Sequence, residues 1–111
     1  MQIASRYLKN TKVLTLKGCL DYHAKSEFDL AIEFAKEIRC QHIILDFTQV
    51  SGVDSAGLGR IVLCTKKLHN QGIQLTLLNP TPQIREFLQQ LETTLNLPIC
   101  DTEEQALAMC G

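Results

Sequence analysis

The chain has 111 residues, 45% of them hydrophobic and 21% charged, with a formal net charge of -1. That is enough for one domain with a single core, and it argues against disorder and, lacking a basic surplus, against nucleic-acid binding. No apolar run reaches membrane-spanning length, and Met1-Gln2-Ile3-Ala4-Ser5-Arg6 has no signal-like apolar region, so the cytoplasm is the expected compartment, without direct membrane insertion.

Tyr7-Leu8 and Val13-Leu14-Thr15-Leu16 read as the apolar parts of two strands, with Asn10-Thr11-Lys12 as the turn of an antiparallel hairpin. Gly18 is expected to end the second strand. Asp21-Tyr22-His23 then leads into a helix over about Ala24 to Arg39, where Phe28, Ala31, Ile32, Ala35 and Ile38 recur at threes and fours and form one buried stripe. Lys25, Glu33, Lys36 and Glu37 fall on its wet face. Ile43-Ile44-Leu45 is a continuous apolar run, expected of a strand covered on both faces, and Asp46 to Val53 reads as a turn-rich connection.

The next helix is expected over about Ser55 to Asn70, with Leu58, Ile61, Val62, Thr65 and Leu68 on one side and Gly72 in the left-handed position after its end. Ile73-Gln74-Leu75-Thr76-Leu77 alternates like a strand. Asn79-Pro80-Thr81-Pro82 breaks the chain, and Pro82 opens a helix that carries Ile84, Phe87, Leu88 and Leu91 inward. Pro98-Ile99-Cys100 forms a last short strand, and Thr102 with Gln105 makes a capping box for a C-terminal helix through Ala106, Leu107 and Met109. Strands alternating with helices imply right-handed crossovers. The expected fold is therefore a single α/β domain over 1–111. Its sheet is mixed but mainly parallel, flanked by about four helices, with an N-terminal hairpin.

Five cysteines (Cys19, Cys40, Cys64, Cys100, Cys110) are widely spread without a C-x-x-C pair, as expected of reduced thiols used as small apolar residues. His23, His42 and His69 lack metal-ligand spacing, so neither a metal site nor a cofactor is expected. The unusual stretch is Asp54-Ser55-Ala56-Gly57-Leu58-Gly59. Ser55 or Asp54 would serve as the N-cap of the helix that starts there. Gly57 and Gly59 each cost about 1 kcal/mol relative to alanine within a helix, and call for a compensating reason. Tight packing on the sheet is one; a flat surface for a partner's backbone is the other. A phosphate on Ser55 would bring about -1.5 to -2 charges to a helix N-terminus that favours anions, against the neighbouring Asp54. Such a change would break a docked interface without unfolding the domain. Thr48 and Ser51, on the approach to this serine, are expected to make turn hydrogen bonds.

These residues resemble the STAS domains, the anti-sigma-factor-antagonist family. Gly18-Cys19-Leu20-Asp21 is similar to the family's G-x-L-D segment. Ile44 to Val50, followed by Val53-Asp54-Ser55-Ala56-Gly57-Leu58, is similar to its strand, D-h-S/T-x-V turn and D-S-S/A-G-L helix start. Asn79 to Ile84 and Thr102 to Leu107 fit its closing helices. The resemblance implies a non-catalytic binding module. An anti-sigma factor that is also a serine kinase would phosphorylate Ser55, a PP2C-type phosphatase would reset it, and the unmodified form would bind the kinase and release its client. Asp21 would support the phosphosite, and Thr48, Asp54, Ala56, Gly57 and Leu58 would belong to the partner surface, with Arg60 contributing if exposed. Two departures stand out: Gly52 replaces a position often bulky and apolar in the family, loosening the loop before Ser55, and Ala56 replaces the second serine of D-S-S-G. Alanine also occurs there in STAS subunits of membrane lipid-transport complexes, where the same face would grip an ATPase without phosphorylation. Catalysis is not expected. Val53 stands where G-x-S-x-G would need its first glycine, and His69 lies about 20 Å from Ser55 along one helix.

Overall fold

The computed structural model describes residues 1–8, 10–37 and 40–109. β1 (Gln2–Leu8) and β2 (Thr11–Leu20) form the antiparallel hairpin, pairing from Gln2 with Lys17 to Leu8 with Thr11. Pairing resumes at Thr11, so the turn is tighter than Asn10-Thr11-Lys12. β2 also runs on past Gly18 to Leu20, because Gly18 takes a φ of +114° that accommodates an irregularity without ending the strand.

Asp21 caps a 3-10 turn, Tyr22–Ala24, and α1 (Lys25–Glu37) follows. Phe28, Ile32 and Ala35 of its stripe are buried and Ala31 is half-buried; Ile38 and Arg39 lie outside the described residues. β3 (His42–Val53), α2 (Ser55–Asn70), β4 (Gln74–Leu78), α3 (Pro82–Thr94), β5 (Ile99–Cys100) and α4 (Glu103–Ala108) complete the chain. The sheet order is β1-β2-β3-β4-β5, antiparallel only in the hairpin and parallel elsewhere. The fold is thus a single α/β domain with a mixed, mainly parallel sheet, as the alternation of elements implies.

The apolar run of β3 serves two faces. Ile43, Leu45 and Phe47 join the larger core with Phe28, Ile61, Leu68 and Leu75, while Ile44 joins Val13, Leu78, Cys100 and Ala106 in a smaller one beside α4. Phe28 and Phe47 are fully buried, each worth about 2–3 kcal/mol. Caps fall where the sequence places them. Pro82 follows the cap Thr81, Gly72 has φ +74° beyond α2, and Thr102 accepts from the Gln105 N–H at 3.2 Å. The Gln105 side chain accepts from Asp101 N–H at 3.0 Å, one residue earlier than a regular capping box.

Two further expectations fail in detail. Phe87 points outward, 45% exposed, while Ile84 and Leu88 face the core. The segment from Asp46 to Val53 is strand, not loop, because β2 and β3 continue to pair through two irregularities. His42 and Thr76 are buried in adjacent parallel strands, joined by a 2.7 Å bond between His42 Nε2 and Thr76 Oγ1. Burial pushes the His42 pKa down.

Candidate functional site

β3 delivers the chain to Ser55 along a bulged edge. Thr15 pairs with Asp46 but Lys17 with Gln49, so Leu16 faces two residues; Gly18 pairs with Val50 but Cys19 with Gly52, leaving Ser51 extra. At the first bulge Asp46 Oδ1 accepts from the Thr48 backbone N–H at 3.0 Å and from its hydroxyl at 2.6 Å. Thr48 Oγ1 in turn accepts from Asn79 Nδ2 at 3.3 Å. Thr48 is exposed, but its hydroxyl is committed to this turn, as expected of a turn residue. At the second bulge Ser51 Oγ lies 3.4 Å from Cys19 Sγ, and both residues are exposed.

The strand pair closes at Leu20 opposite Val53, and the Asp54 N–H donates to the Leu20 carbonyl at 3.3 Å. Asp54 is then the N-cap of α2. Its backbone is extended and its carboxylate accepts from the Gly57 N–H at 2.8 Å. This resolves the choice between the two caps and frees the serine. Ser55 is the first helical residue and is exposed, and among the described residues nothing hydrogen-bonds its hydroxyl. A serine held at a helix mouth with an uncommitted Oγ is open to a reagent approaching from solvent.

The glycines that follow have different reasons. A Cβ on Gly57 would stand 2.0 Å from the Leu20 carbonyl oxygen, so this glycine lets the start of α2 seat on the end of β2. A Cβ on Gly59 would meet nothing within 4 Å. Gly59 and Ala56 instead form part of a shallow pocket of about 280 Å³, closed by Asp21, Tyr22, Lys25, Arg60 and Leu63. Asp21 and the start of α2 are therefore brought to one surface. Asp21 is half-buried and accepts from the N–H groups of His23 and Ala24 at 3.0 and 3.2 Å. Arg60 is half-buried and donates to Asp29 at 3.1 Å, so it ties α2 to α1 at the pocket wall. Leu58 is half-buried and packs on the larger core.

Three residues at this surface were not foreseen. Tyr22, 72% exposed, and Leu63 flank the first pocket. Phe87 lines a second, of about 250 Å³, with Ser51, Gly52, Val53, Gln83 and Ile84. Gly52 is a strand residue with ordinary room around it, its virtual Cβ 3.8 Å from Cys19 Sγ, so it opens this hollow and does not loosen a loop. Only the position of Tyr22, next to Asp21, carried a sequence signal.

Among the described residues no cluster of three or more His, Cys, Asp or Glu side chains is placed to hold a metal, and no helix is long and apolar enough to cross a membrane. Cys40, Cys64 and Cys100 are buried, and burial raises their thiol pKa values, that of Cys64 to about 12 with the Asp29 carboxylate adding to the effect. Cys19 departs from the apolar pattern by being exposed, and Cys110 lies outside the described residues.

The STAS domain family model matches residues 2–106. The chain belongs to the STAS domain family. This STAS domain is 27% identical over 108 residues to the anti-sigma F factor antagonist of Paenibacillus polymyxa, covering 96% of this chain and 92% of that protein. Among solved structures it resembles the anti-sigma factor antagonist SpoIIAA in its unphosphorylated form (28% identity, TM-score 0.74, 97% and 96% of the two chains). It also resembles the Bacillus cell fate determinant SpoIIAA in the phosphorylated form (27%, 0.75, 99% and 100%). A Thermotoga maritima structure at 19% identity shares the fold, with a TM-score of 0.86 over 97% of this chain and 93% of that one. The chain thus shares the STAS family and fold with proteins described as anti-sigma factor antagonists.

Proposed function

We propose that this STAS domain is an anti-sigma factor antagonist whose grip on a serine kinase, itself the anti-sigma factor, is controlled by phosphorylation of Ser55. The observation that carries this reading is the uncommitted, exposed hydroxyl of Ser55 at the first position of α2, with capping left to Asp54. The likeness to a relative solved in unphosphorylated and phosphorylated forms supports it. In the unmodified state the partner docks over Ser55, Ala56 and the pocket between Asp21 and Gly59. A phosphate there adds about -1.5 to -2 charges. Docking would strip that charge of water without giving it a mate, which costs several kcal/mol. The partner leaves, and a PP2C-type phosphatase restores binding. Gly57, Leu58 and Thr48 shape the surface from beneath and beside it.

The domain acts here as a substrate and a ligand, not as a catalyst. His69 sits at the far end of α2, about 20 Å from Ser55 at roughly 1.5 Å per residue, beyond proton-transfer reach.

The test is incubation with ATP and an anti-sigma factor serine kinase from the same organism, followed by mapping of the phosphate by mass spectrometry. One phosphate on Ser55 is expected, and none on Ser55→Ala. Ser55→Ala should hold the kinase as the wild type does, and Ser55→Asp should bind it more weakly. A kinase that binds the domain yet never modifies Ser55 would sink the proposal. Co-purification with a transport ATPase, indifferent to Ser55→Asp, would put a lipid-transport role in its place.

A further inference from the structure

A groove lies away from Ser55, along the free edge of the sheet. It holds about 400 Å³ between β1 and α1, lined chiefly by Met1, Ile3, Ser5, Leu14, Leu30 and Phe34. Leu30 and Phe34 are 58% and 60% exposed although apolar, so α1 carries a second apolar stripe outside the core. The two charges at the groove, Lys12 and Glu27, are of opposite sign and give it no net field.

β1 is the edge strand beside this groove, and no described residue pairs with its outer edge. Edge strands are ordinarily blunted by proline, bulges or several charges. β1 has none of these. It pairs with β2 without a register break, contains no proline, and carries one charge, Arg6. Arg6 alternates to the other face of the sheet, where it pairs with Glu103 of α4 at 2.5 Å.

We infer that the β1 edge is a homodimer interface, in which two copies pair β1 to β1 antiparallel about a two-fold axis at Ser5. The strand itself selects the occupant and the register. Ser5 is the midpoint of Gln2–Leu8, so pairing there engages every residue of the strand. Ile3 then faces Tyr7 of the second copy, and Arg6 faces Ala4. A shift of one residue toward the C-terminus would set Arg6 against Arg6, and like charges directly opposite are unfavourable. The arrangement is isologous, closes at two copies, and makes one continuous sheet. It also brings the Leu30 and Phe34 stripes of the two α1 helices to the same face of that continuous sheet. β5, with two residues, is too short to compete as the pairing edge. No residue of α2 lines the groove, so the dimer leaves Ser55 accessible and stands apart from the phosphorylation proposal.

The test is sedimentation and light scattering of the full chain up to the millimolar range. A dimer is expected. Ser5→Lys sets two lysines face to face at the axis, and Phe34→Glu puts carboxylates in the apolar stripe; both positions are exposed, so the fold should persist by circular dichroism. Each should raise the dissociation constant by roughly tenfold or more. Ser5→Cys in a Cys19→Ser, Cys110→Ser background reports the register without depending on those variants. Directly facing residues of an antiparallel pair have Cα atoms roughly 4.5 or 5.5 Å apart, within disulfide range. Oxidation should therefore yield a covalent dimer that the chain with Cys19→Ser and Cys110→Ser alone does not form. A chain that stays monomeric throughout, a dimer unmoved by both charge variants, or a Ser5→Cys chain that does not cross-link would each overturn the inference.

Discussion

Replacing Gly57 by alanine asks whether the start of α2 is fixed by close approach to the sheet. The new Cβ would stand 2.0 Å from the Leu20 carbonyl oxygen, 2.8 Å from its carbon and 3.1 Å from Leu20 Cγ. Relaxed contacts begin at roughly 3.5 Å, so backbone must retreat by about 1.5 Å. Neither partner yields easily. Leu20 ends a paired strand and its carbonyl accepts the Asp54 N–H, while Gly57 donates to the Asp54 cap. Overpacking of this kind costs about 3 kcal/mol at the upper end of its usual range. Alanine returns about 1 kcal/mol of helix propensity, leaving a net loss of about 2 kcal/mol. Gly59→Ala meets nothing within 4 Å and should gain up to about 1 kcal/mol. The two substitutions are chemically identical and two residues apart, so they differ by about 3 kcal/mol for steric reasons alone. At roughly 4 °C per kcal/mol, their melting temperatures should lie about 12 °C apart, on opposite sides of the wild type. Paired urea and thermal unfolding measures this. If both variants shift the same way by similar amounts, the close approach at Leu20 does not determine the position of α2. Gly59→Ala carries a second readout, because its methyl enters the pocket walled by Asp21 and Arg60. It should stabilise the domain and weaken kinase binding together.

Asp54→Ala should cost about 1 kcal/mol in urea unfolding through loss of the cap, while Ser55→Ala, which removes no described hydrogen bond, should change stability little. The pKa of His42 is lowered in the fold from about 6.5, so its stabilising contribution should be fully present above that pH. It should be lost as the pH falls toward the lowered folded value. Unfolding free energies at pH 5 and 7.5 check the slope, which His42→Asn should flatten even as it lowers stability at both. Ellman's reagent on the native protein should modify Cys19 rapidly, with Cys40, Cys64 and Cys100 reacting only on unfolding; peptide mapping assigns the sites.

Helices were the most legible elements because their signals are local. α2 spans Ser55–Asn70 as its periodicity and Gly72 indicate, and Pro82 marks the first residue of α3. The second half of β3 was obscure because two bulges break its alternation. Asp46 and Thr48 look like a turn, and they do form one by hydrogen bond, but within a strand that pairs on to Val53. Phe87 is misplaced because the apolar face of α3 is narrower than its pattern suggests, with Ile84 and Leu88 buried and Phe87 exposed beside a hollow that Gly52 also lines. At the site, Asp54-Ser55 was visible as a helix start. Which of the two residues caps it depends on the extended backbone of Asp54 and the 2.8 Å bond to Gly57. Likewise no residue count separates Gly57, pressed on Leu20, from Gly59, which has free space for a Cβ. Tyr22 joins the site only because the 3-10 turn after Asp21 brings it beside α2.

The division of labour between Asp54 and Ser55 bears on how a covalent charge would act here. Were Ser55 the cap, a phosphate would disturb the bond that starts the helix, and modification and stability would be entangled. With Asp54 as cap, the phosphoryl group would project from a position whose oxygen holds nothing in place. The positive end of α2 favours the added charge and the adjacent Asp54 carboxylate opposes it, and both groups are exposed to screening solvent. The two effects offset within the folded domain. What does not offset is the cost of removing that charge from water beneath a partner. Confining the penalty to the interface would let the same fold alternate between bound and released states without passing through an unfolded one.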